Sequence, residues 1–353
     1  MRNPFVMECG NYKTNYSKDM HLFRIPRVKL RIFIIVLLLF LLPLFTSNYV
    51  IGLATLCAIA SIGAIGLNIL TGFTGQISVG VGAFLAIGGY TSAILTSILG
   101  WSFWISLPLA GLVTAIVGGI FGIPSLRLKG LYLAIATLAA QFIVLWAIGR
   151  FSGLTGGGEG MVLQRPSIGS FTFSSQTSYY YLCLVILLLV TIYTLNLFRA
   201  KTGRAFLAVH HRDVAAQIMG IHLLKYKVVA FALSSFIVGI GGALLAHYTM
   251  IVTVELYSID VSIQYLAMIL VGGLGSVFGS ILGAIFITLL PVALGYMIEF
   301  LTVYMPNAYS LLNSFQEFVF GLVIILFLIF EPGGLIHIWN NIKTYLRLWP
   351  FSY

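Results

Sequence analysis

The chain has 353 residues, of which 60% are apolar and only 8% charged, with a formal net charge of +10. A soluble domain carries roughly 25% charged residues, so this composition excludes a water-facing surface and requires a coat of lipid. The basic excess does not describe a nucleic-acid-binding patch, because the lysines and arginines sit in short clusters at the ends of apolar runs.

Residues 1–31 are polar and basic, ending in Arg24, Arg27, Lys29 and Arg31 before an apolar run begins at Ile32. No small-residue cleavage site closes that run, so the segment reads as an uncleaved cytoplasmic tail followed by a first span. A span needs about 20 mostly apolar residues. On that measure the sequence predicts an all-α, polytopic transmembrane bundle of about ten spans, with eight to ten as the range. They cover 32–48, 51–70, 79–99, 103–123, 131–149, 180–198, 228–249, 261–276, 278–298 and 315–330, a membrane domain of 32–330. Ten spans with both termini in the cytoplasm place every lysine and arginine except Arg150 and Arg165 on the cytoplasmic side, as the positive-inside rule demands. The long external loop is 150–179, the main cytoplasmic loop is 199–227, and 331–353 is a cytoplasmic tail.

Catalytic signatures are missing from the sequence. There is no phosphate-cradling G-x-x-x-x-G-K-[ST], no H-E-x-x-H and no C-x-x-C, so no cofactor or metal is expected and the chain reads as a non-enzyme. Cys57 and Cys183 read as small apolar helix residues. His210 and His211 read as solvated loop residues. The spans read as nearly free of ionisable side chains, with Glu317 near the start of one and Glu299 at the border of another. That argues against a proton-driven transporter.

Two glycine-rich stretches interrupt the apolar runs, at 66–80 and 271–280. Small residues allow close helix packing. The alternative is a broken helix whose freed backbone lines a polar path, since irregular backbone at membrane depth survives only where protein or water covers it. Asn68, Thr71, Gly72, Thr74, Gly75, Gln76 and Ser78 are the candidates in the first stretch, and Gly272, Gly273 and Gly275 in the second.

In the cytoplasmic loop, apolar residues recur at helical spacing from 205 to 219 before a turn glycine, Gly220. Such a short amphipathic helix either docks into a groove on a soluble partner or lies on the lipid surface. The spacing alone leaves both open.

Ala215-Ala216-x-x-x-Gly220 resembles the loop by which bacterial ABC importer permeases contact their ATPase, with Val214 in place of the usual glutamate and Asp213 one place earlier. Asn68-Ile69-Leu70-Thr71-Gly72-Phe73-Thr74-Gly75-Gln76-Ile77-Ser78 and the run Gly82–Thr91 resemble the branched-chain amino acid permease family of the LivM type. The runs Lys129–Leu138, Thr155–Gly160 and Gly272–Ser276 resemble it too, in the same order along the chain. The resemblance implies a bacterial inner-membrane importer subunit that pairs with a second, related permease. Cytoplasmic ATP-binding subunits would lie below, and a periplasmic or lipid-anchored substrate-binding protein would sit above, facing the 150–179 loop. It also implies that Ala215, Ala216 and Gly220 permit close packing on the ATPase, flanked by Arg204 and Arg212. Urea or short-chain amide permeases share these motifs, and a channel would show the same glycine breaks without an ATPase.

Overall fold

In the computed structural model, residues 26–168, 171–173, 175–302, 312–331 and 333–348 are described. Most of the predicted N-terminal tail and the last residues of the C-terminal one lie outside them. The described chain is a helical bundle. Its helices are α1 (Pro26–Phe45), α2 (Asn48–Thr74), α3 (Val81–Ala93), α4 (Phe103–Gly122), α5 (Leu131–Arg150) and α6 (Gln176–Arg199). There follow α7 (Lys201–His211), α8 (Asp213–Ile218), α9 (Leu223–Thr249), α10 (Ile259–Gly272), α11 (Val277–Thr302), α12 (Leu312–Phe330) and α13 (Gly334–Leu348). A π-helical turn, Ile94–Ile98, extends α3.

Eight helical segments among the described residues are long and apolar enough to cross a bilayer, and two shorter apolar stretches lie at Leu30–Phe45 and Phe318–Phe327. These ten segments coincide in order and position with the ten apolar runs of the sequence. Outside the helices, Met161–Val162 pairs antiparallel with Ile251–Val252, and Ser167–Ile168 pairs with Phe171–Thr172. The first pairing joins the 150–179 loop to the turn after α9.

The centre of the bundle is α9, packed on α2, α3 and α4. Hydrophobic burial cannot draw helices together in lipid, so close backbone approach does that work. A Cβ on Gly242 would strike the backbone carbonyl of Leu85 on α3, and one on Gly239 would strike Thr114 on α4. Around these contacts pack Phe231, Ile237, Val238 and Leu244, all buried. Cys57 and Cys183 are free and buried. By contrast α5 lies at the edge, burying a single stripe of Leu133, Ala134, Thr137, Ala140 and Gln141.

Two predicted features come out differently. The helix expected over 205–219 is two helices, because Arg212 is extended (φ −157°, ψ 110°) between α7 and α8. The tail from 331 is not featureless: α13 is an amphipathic helix that packs on α10 and α11. Its first turn meets the second glycine break, where a Cβ on Gly273 would strike Ile336.

Candidate translocation and coupling site

The two glycine-rich breaks, far apart in sequence, meet in space. Helix α2 ends at Gly75, which takes a left-handed φ of 68° that glycine adopts without a Cβ penalty. Helix α10 gives way at Gly273 and Gly275, with φ 117° and 73°. The link between them is Asn68, buried on α2. Its Oδ1 accepts from the Gly275 amide at 3.0 Å, and its Nδ2 donates to the Ser276 carbonyl at 2.9 Å and to Ser280 Oγ at 2.6 Å. Gly72 lies in the same contact, where a Cβ would collide with the Asn68 carboxamide and the Gly275 amide. A side chain from one span thus supplies the hydrogen bonds that the other span loses where it stops being helical.

The remaining polar residues of the first break bond chiefly among themselves. Thr71 Oγ1 donates to the Gln76 carbonyl at 3.3 Å, Gln76 Nε2 donates to Thr74 Oγ1 at 3.1 Å, and Thr74 Oγ1 donates to the Leu70 carbonyl at 2.5 Å. The Gln76 Oε1 atom is buried without a hydrogen-bond partner, an arrangement that costs about 1–3 kcal/mol. Ser78 is fully buried, and Gly75 abuts His210 of α7. Gly272 packs on the backbone of Gly279.

A second junction was not anticipated. Residues 75–80 are non-helical, with Gln76, Ser78 and Gly80 buried, so α3 starts against the interior of the bundle. Thr137 lies roughly 9 Å along α5 from its first residue and Gln141 roughly 15 Å, the latter about half of a hydrocarbon core some 30 Å thick. Thr137 Oγ1 accepts from the Val79 amide at 3.0 Å. Gln141 Nε2 donates to the carbonyls of Tyr257 and Ser258, both at 3.2 Å, just before α10 begins. Ser262 Oγ donates to Gln141 Oε1 at 2.7 Å and accepts from the Gly82 amide at 2.7 Å. The first turns of α3 and α10 therefore meet at one carboxamide near mid-depth. The sequence signal was there, since Thr137 and Gln141 are polar residues four apart on one face of an apolar span, but the glycine stretches drew the reading elsewhere.

The expectation of spans nearly free of ionisable side chains also needs correction, because His247 is buried in α9. Its Nδ1 is 3.0 Å from the Gln164 carbonyl oxygen, which only accepts, so Nδ1 carries the proton and Nε2 accepts from Ser92 Oγ at 3.0 Å. Ser92 is in turn 3.0 Å from Ser106 Oγ. This chain ties the 150–179 loop to α3, α4 and α9.

In the 199–227 loop, α7 buries Gly203, Ala205, Phe206 and Val209 against the bundle, and α8 buries Ala216. Arg204, Arg212 and Ala215 are exposed. The outer side of α8 is apolar and bare: Val214 is 68%, Ile218 81% and Met219 82% exposed. Gly220 closes α8 with φ 84°; its amide bonds to the Gln217 carbonyl and that of Ile221 to the Ala216 carbonyl, the paired bonds of a Schellman motif. A Cβ there would meet nothing in this chain, so conformation rather than internal crowding selects glycine. Asp213 faces inward: its Oδ2 is 2.8 Å from Lys129 Nζ and 2.9 Å from Lys227 Nζ. Burial raises the Asp213 carboxyl, but the hydrogen bonds from Lys129 and Lys227 outweigh it and hold the group below the ordinary carboxylate value. A depressed pKa stabilises the fold above the unfolded value, and that contribution is lost as pH falls through the folded one. The Asp213 carboxylate is therefore ionised at neutral pH.

The bundle of apolar helices agrees with the outcome of comparison with known proteins. A family profile described as branched-chain amino acid transport system / permease component matches residues 49–328. The chain belongs to this family. It is 32% identical over 335 residues to the high-affinity branched-chain amino acid transport system permease protein LivM of Salmonella typhimurium, covering 88% of this chain and 75% of the relative. LivM of Escherichia coli gives the same identity and coverage. A probable permease protein LivH of Methanocaldococcus jannaschii is 29% identical over 80% of this chain and 90% of its own length. No solved structure matches. As a member of this family the chain is a multi-pass membrane permease subunit.

Proposed function

We propose that the chain is the membrane-spanning subunit of an importer that moves branched-chain amino acids across the inner membrane, driven by ATP hydrolysed on separate subunits. The observation that carries this reading is the bare apolar surface of Val214, Ile218 and Met219 on α8, projecting from the end where the basic residues cluster. This apolar face is not covered by the chain itself and stands beside the exposed Arg204 and Arg212, as a helix suited to a groove on a soluble partner would. The ten apolar segments are ten spans with both termini cytoplasmic, because ten spans gather the basic residues on one side and the positive-inside rule makes that side the cytoplasm. A second permease subunit completes the membrane unit, and a substrate-binding protein docks on the external loop. The two breaks, held by Asn68 and by Gln141, form the walls of the path.

Purification in mild detergent with mass spectrometry of what accompanies the protein tests the assembly. A stoichiometric ATP-binding subunit and a second permease are the expected result, and a solitary protein in every gentle detergent would return the reading to a channel. Radiolabelled leucine, set against urea and acetamide, then tests the substrate. Gly220→Val is expected to lower leucine uptake about tenfold at unchanged membrane level, since a β-branched residue at positive φ costs about 1–3 kcal/mol and displaces the end of α8. Wild-type uptake by this variant would remove the docking role. Gln76→Leu is expected to lower uptake about fivefold while the ATPase stays bound, the size of one hydrogen-bonding group lost from a buried path. Unchanged uptake would make Gln76 a packing residue.

A further inference from the structure

Asp213 stands beside the loop that the preceding reading assigns to ATPase contact, yet its carboxylate points into its own subunit. The two lysines it holds differ in kind. Lys227, at the start of the central helix α9, has a side chain only 5% exposed, whereas the Lys129 side chain is 62% exposed. A buried ammonium stripped of its anionic partner is strongly disfavoured, so α8 cannot leave α9 without breaking a contact that the fold requires. An exposed pair is worth little and can be made and broken.

Lys129 is also the last side chain before α5. Gly130 follows it with φ 56° and open space around its Cα, a joint at which the segment can swing. Beyond that joint α5 is weakly held: it buries one stripe, and its side-chain hydrogen bonds to other segments are that accepted by Thr137 from the Val79 amide and those between Gln141 and Tyr257, Ser258 and Ser262. A rigid helix is thus attached at its lower end to α8 and at mid-depth to both points where spans begin inside the bundle.

We propose that Asp213 is a positioning residue rather than an ATPase contact, with Lys227 as its fixed pivot and Lys129 as its releasable arm. Displacement of α8 by the partner is passed through Lys129 along α5 to the junction at Gln141. This rests on the importer reading, because it needs a partner that moves α8.

The test uses the intact complex co-purified with its ATPase, with and without a non-hydrolysable ATP analogue, read by hydrogen exchange at the amides of 79–82 and 257–262. In the wild type the analogue changes exchange at both segments. Lys129→Gln, at an exposed side chain and therefore safe for folding, is expected to abolish that change while the ATPase remains bound, and Lys129→Arg to restore it. Leucine carried per ATP is expected to fall about threefold in Lys129→Gln, the scale of an exposed ion pair. An undiminished exchange response in Lys129→Gln would overturn the relay. Loss of the ATPase from that variant would overturn it too, by making Lys129 a partner contact. A wild type that carries no ATPase would overturn the importer reading and the relay together. A wild type that responds to the analogue but carries no leucine leaves the relay standing and removes only the substrate class.

Discussion

Asn68→Leu is expected to abolish uptake and to lower the apparent Tm of the detergent-solubilised protein more than any other single change on the path. The substitution keeps the volume of the side chain and removes all of its hydrogen bonds. The Gly275 amide loses its acceptor and Ser280 Oγ and the Ser276 carbonyl lose a donor, Ser280 in the buried interior and Gly275 and Ser276 half-buried. Each buried group left unpaired costs about 1–3 kcal/mol. The Ser276 carbonyl also accepts from Ser280, so the net cost is about 2–5 kcal/mol rather than three full penalties. Asn68→Asp restores the acceptor for Gly275 but turns an oxygen toward the Ser276 carbonyl, so it does not rescue. Fluorescence-detected size exclusion after a temperature ramp reads the stability, and a Tm equal to wild type would show that Asn68 does not hold the two breaks together.

Gly242→Val is expected to prevent α3 from seating on α9 and to leave little folded protein in the membrane. The added Cβ would meet the Leu85 carbonyl carbon at 2.7 Å and the Leu85 Cα at 2.8 Å. These are backbone atoms of another span, so no rotamer change relieves the clash. Overpacking costs about 1–3 kcal/mol where side chains can give way, and more where a helix must move. The helices would separate around the branch, losing the close approach that substitutes for the hydrophobic effect in lipid. Membrane-fraction immunoblotting with thermal stability checks this. Gly149→Val, whose Cβ would meet nothing, is the matched control and is expected to behave as wild type.

What the sequence told about this fold depended on distance along the chain. Spans were legible because a bilayer imposes a minimum apolar length, and the ends of the helices at Gly75 and Gly273 were legible because glycine marks them locally. The partners of those ends were not. Asn68 and Gly275 are 207 residues apart, and nothing in either neighbourhood names the other. Lys227 looked like the other basic residues of its loop, yet it is buried, because burial is decided by how α9 emerges from the bundle. The break at Arg212 went unseen because one extended residue barely disturbs an apolar period. His247 was missed for the opposite reason: within an apolar run a single histidine weighs little, while in three dimensions it organises a chain of four groups.

The junction at Gln141 also sets an order of assembly. Gly82 finds its acceptor in Ser262, 180 residues later, and Gln141 finds its own partners 116 to 121 residues on. At a synthesis rate of about 5–20 residues per second, α3 waits roughly 10–35 s for the segment that completes its first turn. During that interval the stretch 75–80 has emerged without its final hydrogen bonds, in a medium that tolerates few loose ones. The biogenesis of this protein therefore turns on something sheltering its third helix until the tenth has arrived.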